Sequence, residues 1–213
     1  MLQVHSFTFN PFAEHTYVLY DETRSCAIID PGCATQQEQQ QLSDFIKAEE
    51  LQVTHLINTH GHIDHVVGNQ YIKHTYQVKL AIHPDEVPVL QFATTYAQSC
   101  GFPDYQAAQP DIFLTPTDVV QVGNMTLTIR HVPGHSPGHI VLYHAAAGIC
   151  FVGDVLFRHN IGRTDLPGGD RDLLIKSIRE QVLVLDDTTT LYPGHGQPTT
   201  VGHEKQANPY LRV

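Results

Sequence analysis

Thr59-His60-Gly61-His62-Ile63-Asp64-His65 places three imidazoles and a carboxylate within a few consecutive positions. These are donors that borderline divalent metals such as zinc take. Histidine and aspartate cost free energy to bury without partners, so the bland alternative is a solvated polar loop. The run, however, follows Val53-Thr54-His55-Leu56-Ile57-Asn58, which reads as a buried strand. A loop that offers four ligands at a strand's end reads as a metal site.

The same arrangement recurs three more times: a β-rich apolar run, then a glycine or tight turn, then a ligand. Met125 to Ile129 leads into His131-Val132-Pro133-Gly134-His135-Ser136-Pro137-Gly138-His139. Ile149 to Val152 leads to Gly153-Asp154, and Thr190-Leu191-Tyr192 to Pro193-Gly194-His195-Gly196. Glycine lets the backbone turn sharply and aim the ligand into a cleft. Together His60, His62, Asp64, His65, His135, Asp154 and His195 exceed the four ligands of one tetrahedral structural site. They suit two ions that share a bridging carboxylate and a water. Such a pair lowers the pKa of the water, polarises a carbonyl or phosphoryl oxygen and stabilises the charge that develops on attack.

Other residues have two readings each. His131 and His139 flank His135 and read as groups that orient a ligand ring rather than as ligands. Asp30 either begins a turn or lies near the metals. Arg163 either meets substrate or pairs with Asp165 or Asp170. Phe157 and Tyr192 read as core, and the remaining histidines as surface or ordinary packing.

The elements that must carry these ligands are legible in outline. Val4 to Phe9, Thr16 to Tyr20 and Cys26 to Asp30 alternate as three antiparallel strands, with turns at Asn10-Pro11 and Asp21 to Arg24. Thr35 with Glu38 is a capping box that opens a helix bearing Leu42, Phe45 and Ile46 on one face. A short helix follows around Gly68 to Ile72, a strand over Val78 to Ile82 and a helix over Val87 to Ala97. Residues 84–114 are otherwise irregular, with loops at Gly101 to Asp104 and Gln109 to Asp111. Strands are predicted at Met125 to Ile129, Ile140 to Tyr143 and Ile149 to Val152, and a helix over Asp172 to Leu185 with Leu174, Ile178, Val182 and Leu185 on one stripe. This order suggests sheets in the middle with helices outside.

Composition narrows the function. The 213 residues suffice for one well-buried domain, and 41% hydrophobic content fits a folded soluble protein. A net charge of −10 argues against nucleic-acid binding. No apolar run is long enough to span a membrane, and the N-terminus has no basic, apolar leader, so a cytoplasmic location is expected. Cys26, Cys33, Cys100 and Cys150 lack paired spacing and read as reduced thiols. Fifteen histidines outnumber the twelve lysines and arginines, which itself invites a search for ligands.

His60-Gly61-His62-Ile63-Asp64-His65, with His135, Asp154 and His195 downstream, resembles the metallo-β-lactamase superfamily across nearly the whole chain. The resemblance implies an α+β fold, a four-layer αββα sandwich with a dinuclear site at one edge of the paired sheets. It implies that His60, His62 and His135 hold one metal, that Asp64, His65 and His195 hold the other, and that Asp154 bridges them. Asp64 would also orient the attacking hydroxide. Zinc is the expected ion, with iron or manganese possible.

Gly153-Asp154-Val155-Leu156-Phe157, Ile161-Gly162-Arg163-Thr164-Asp165 and Gly194-His195-Gly196-Gln197-Pro198-Thr199-Thr200 with Asn208-Pro209 look like the glyoxalase II, or hydroxyacylglutathione hydrolase, group. That likeness implies hydrolysis of S-D-lactoylglutathione or related small thioesters by a metal-bound hydroxide. Arg163 stands where longer members place a lysine that contacts glutathione, which implies a substrate-binding role. The chain stops shortly after His195, as in short single-domain members without the C-terminal helical domain, so residues 1–213 are expected to form one domain. An alternative is a persulfide dioxygenase, which uses one iron on His60, His135 and Asp154. A β-lactamase or phosphodiesterase is disfavoured by the loop resemblance, and a protein that only binds metal is the remaining class.

Overall fold

The N-terminal alternation forms three antiparallel strands in the computed structural model, which describes residues 2–212. β1 (Gln3–Phe9), β2 (Glu14–Tyr20) and β3 (Ser25–Ile29) pair in succession. Helix α1 (Gln36–Ala48) then carries the chain back, so that β4 (Gln52–Ile57) lies parallel to β3. A parallel neighbour requires such a crossover, because a tight hairpin joins only antiparallel strands. Thr35 and Glu38 form the reciprocal capping box at the start of α1, and Leu42 and Ile46 face inward.

α2 (Ile63–Val66) and α3 (Asn69–Tyr76) lead to β5 (Leu80–Ile82), and α4 (Val87–Tyr96) leads toward β6 (Ile112–Phe113). Both strands add in parallel, giving the sheet order β1-β2-β3-β4-β5-β6. Val18, Ile28, Leu42, Leu56, Ile72 and Leu80 are fully buried in its core. Each such side chain taken from water contributes roughly 1.5–3 kcal/mol.

A second sheet, ordered β14-β13-β10-β9-β8-β7, comprises β7 (Val119–Val122), β8 (Met125–His131), β9 (Ile140–His144), β10 (Ile149–Gly153), β13 (Thr190–Pro193) and β14 (Thr199–Thr200). Between β10 and β13 lie a small hairpin of β11 (Leu156–Phe157) and β12 (Asn160–Ile161), and helix α5 (Arg171–Gln181). That crossover makes β13 parallel to β10. Helix α6 (Val201–Ala207) follows β14. Leu174, Ile178, Val182, Leu191 and Val201 are fully buried together here. The chain divides into two compact units, Met1–Leu114 with Gln121–Met125, and Thr115–Val120 with Thr126–Val213.

Several elements differ from the sequence expectation. β6, β7, the β11–β12 hairpin, β14 and α6 add to it, and residues 84–114 contain β6 as well as α4. α5 ends at Gln181 rather than Leu185. The Val182 and Leu183 N–H groups both turn back to the Ile178 carbonyl, while the Arg130 guanidinium donates to the Gln181 carbonyl. Those bonds satisfy the carbonyls of the last turn and let the chain leave the helix, although Val182 and Leu185 still reach the core. All four cysteines are free thiols. Burial pushes the Cys26 and Cys150 thiols up to about 12, which keeps them protonated and inert. Among the described residues no helix is long and apolar enough to cross a membrane.

Candidate metal centre

In the first unit, the parallel pair β3–β4 ends where the histidine run begins. The Asp30 N–H donates to the Ile57 carbonyl at 3.0 Å, which seats Asp30 beside the loop after β4. The Asp30 carboxylate then gathers that loop. Its Oδ1 accepts from the Thr59 N–H at 2.7 Å, and its Oδ2 from the Thr59 hydroxyl at 2.5 Å and from His65 Nδ1 at 3.2 Å. With its hydrogen committed to Asp30, the Thr59 hydroxyl accepts from His60 Nδ1 at 3.0 Å. These bonds assign the hydrogen to Nδ1 of both His60 and His65. Each ring therefore presents the lone pair of Nε2, the form in which imidazole ligates metal.

The three rings of the run are close together, with centroids 4.7 Å apart for His60 and His62 and 4.3 Å for His60 and His65. His62 stands at the start of α2 and Asp64 in its first turn, where Asp64 Oδ2 lies 3.6 Å from His65 Nε2. The Gly61 N–H is held by the buried Glu86 carboxylate at 2.7 Å, and Asn10 donates to the Asp64 carbonyl at 3.0 Å. Two further groups feel this cluster. Burial, against the pull of His65, raises the Glu14 carboxyl well above its ordinary value, with Asp30 and Asp64 adding to the rise. Burial and then the Asp64 charge push the Tyr96 phenol up to about 12.

In the second unit, β10 and β13 form the parallel pair, and the Gly194 N–H donates to the Gly153 carbonyl at 2.8 Å. Asp154 and His195 thus leave neighbouring strand ends. Asp154 Oδ2 lies 3.4 Å from His195 Nε2 and 3.8 Å from His135 Nε2. His135 Nδ1 donates to the Arg163 carbonyl at 2.8 Å, so its Nε2 also carries a lone pair. The Asp154 N–H donates to His139 Nε2 at 3.1 Å, which gives His139 an orienting role. Glycine is required twice in this wall. Gly134 has φ of 125° beside the α5 backbone, and a Cβ on Gly162 would overlap the Asp154 carbonyl and lie 3.0 Å from His135 Nδ1.

Of the residues read from sequence, His60, His62, Asp64 and His65 gather in the first unit, and His135, Asp154 and His195 in the second. Asp30, left open by the sequence, is a buried partner of His65 and, through Thr59, of His60 rather than a simple turn residue. The Arg163 guanidinium makes a two-pronged, exposed pair with Asp165 at 2.7 and 2.8 Å. Glu14, Glu86 and Tyr96 were missed. Glu86 and Tyr96 lie in the segment with the weakest pattern, whereas Glu14 had a signal, a carboxylate at the inward start of a strand.

A lone-pair nitrogen facing a carboxylate oxygen, as His135 faces Asp154 at 3.8 Å, is repulsive unless a proton or a metal cation lies between them. The donor set therefore fits divalent metal. A family model for the metallo-beta-lactamase superfamily matches residues 10–195. The chain is 35% identical to the hydroxyacylglutathione hydrolase GloC of Haemophilus influenzae, over 94% of this chain and 93% of that one. The crystal structure of BLEG-1 B3 metallo-beta-lactamase superposes with a TM-score of 0.91 at 33% identity, covering 99% of this chain and 100% of that one. TTHA1623 in a di-iron-bound form superposes with a TM-score of 0.86 at 30% identity, covering 97% and 100%. The fold of TTHA1623, solved there in a di-iron-bound form, is the one formed here, and the chain belongs to the metallo-beta-lactamase superfamily of metallo-hydrolases.

Proposed function

We propose that this chain is a dinuclear metal-dependent thioester hydrolase that cleaves S-D-lactoylglutathione or a related glutathione thioester. The observation that carries the dinuclear reading is Asp154 Oδ2, which faces the Nε2 atoms of two histidines from different strand ends. In this reading His60, His62 and His135 hold one ion, Asp64, His65 and His195 the other, and Asp154 serves both within one domain. Zinc suits the donors, and the di-iron relative supports iron as the alternative. GloC supports the thioester and its glutathione carrier.

Two bound ions supply an activated water near neutral pH and polarise the scissile carbonyl. The chain does the rest. Asp64 orients the attacking oxygen by accepting its hydrogen. Tyr96 keeps its proton through the neutral range, so it adds no negative charge to that of Asp64. Asp30 and Thr59 hold the ligand rings so that their lone pairs converge. Arg163 meets the anionic carrier by exchanging Asp165 for a substrate carboxylate.

BLEG-1 supports β-lactam hydrolysis as a second reading. The test offers metal-loaded protein S-D-lactoylglutathione, a chromogenic cephalosporin and glutathione persulfide. Thiol release from the first, falling at least about a hundredfold in Asp154→Asn, is the expected result. Loaded protein that releases no thiol overturns the proposal. Cephalosporin turnover alone selects the second reading, and oxygen uptake with one iron per chain selects the dioxygenase.

A further inference from the structure

Outside that centre, the second unit holds another convergence of metal donors, His159, His203 and Glu204, that the hydrolysis does not use. We propose that His159 and His203 form a peripheral site for a borderline divalent transition-metal ion such as zinc. The two Nε2 atoms lie 2.6 Å apart, and the rings stack with centroids 4.8 Å apart. Metal–imidazole bonds of about 2.0–2.1 Å place two ligand nitrogens of a tetrahedral shell roughly 3.3 Å apart. The pair therefore needs to open from 2.6 Å by roughly 0.7 Å. His159 is exposed and His203 partly so, and side-chain torsion alone supplies that opening.

The site is built rather than incidental, because a buried carboxylate fixes its frame. Glu204 has no exposure. Its Oε1 accepts from the Thr199 hydroxyl at 2.6 Å, and its Oε2 from the Asn208 amide at 2.8 Å and from the His159 N–H at 2.9 Å. The last bond holds His159 at φ 65°, a left-handed conformation uncommon outside glycine, at the tip of the β11–β12 hairpin. Asn208 also donates to the Asn160 carbonyl at 3.0 Å, tying the hairpin to the end of α6. His203 and Glu204 are adjacent on α6, and Glu204 Oε1 lies 4.0 Å from His203 Nε2, where its charge favours a cation. Two imidazoles with water completing the shell suit zinc, nickel or copper better than magnesium or calcium.

The test compares zinc uptake by equilibrium dialysis for metal-loaded, desalted wild type, His159→Ala and His203→Ala. The wild type is expected to take up one zinc per chain more than either variant, with at least a tenfold loss of affinity for that equivalent in each. The difference is independent of how many ions the main centre holds, so it stands or falls apart from the hydrolase reading. A second measurement needs no variant: copper(II) added to loaded wild type is expected to show electron-resonance coupling to two imidazole nitrogens. Equal zinc uptake by all three proteins, or added copper without two-nitrogen coupling, overturns the proposal.

Discussion

The first unit holds His60 and His65 from a buried carboxylate, whereas the second holds His135 from the main chain. Asp30 orders Thr59, His60 and His65 through a relay of side chains. In the second unit the Arg163 carbonyl fixes His135, and the Gly162 backbone closes on Asp154. Asp30 and His60 follow the parallel strands β3 and β4 in one unit, and Asp154 and His195 follow the parallel strands β10 and β13 in the other, while His135 follows β8. Similar strand geometry thus supports two kinds of scaffold. One fails when a charge is removed, the other when bulk is added.

The largest effect is expected from Asp30→Ala. It leaves three buried donors without their acceptor, a loss of about 3–5 kcal/mol by denaturant unfolding and of ten- to a hundredfold in metal affinity. Gly162→Ala follows, at about 1–3 kcal/mol from crowding, with Asp154 and His135 displaced and turnover reduced. Metal retention in Asp30→Ala at least equal to that in Gly162→Ala would break the comparison.

Acidity sharpens it further. The raised Glu14 carboxyl binds its proton more tightly folded than unfolded. The contribution of Glu14 to the stability of the metal-free protein is therefore fully present below the ordinary value of 4.5 and is lost as pH rises through the higher folded value. Glu14→Gln is expected to flatten that decline above 4.5, read by thermal unfolding against pH. The smallest effect belongs to Arg163→Ala. Its pair with Asp165 is exposed, so the thermal midpoint is expected to move by no more than about 2 °C while KM for the glutathione thioester rises. An unchanged KM removes Arg163 from the substrate site.

The candidate donors stand out in the sequence because each pairs an unusual side chain with a strand end, and α1 was legible because Thr35 and Glu38 mark its start. Asp30 was half legible: Asp30-Pro31-Gly32 signals a turn equally well, and only the folded neighbourhood of Thr59 and His65 distinguishes the two. The hairpin at Leu156–Ile161 was hidden because strands of two residues show no alternation, and its turn residue His159 adopts φ 65° without being glycine. Glu86 and Tyr96 were hidden because their roles come from tertiary placement in a segment with little periodic pattern.

The central claim is a two-ion centre, and metal counting tests it most directly. Mass-spectrometric metal analysis of wild type and His65→Ala, loaded identically, is predicted to give two ions per chain for the wild type and retention of one by the variant. At most one ion in the wild type, or equal loss of both in His65→Ala, would contradict the account.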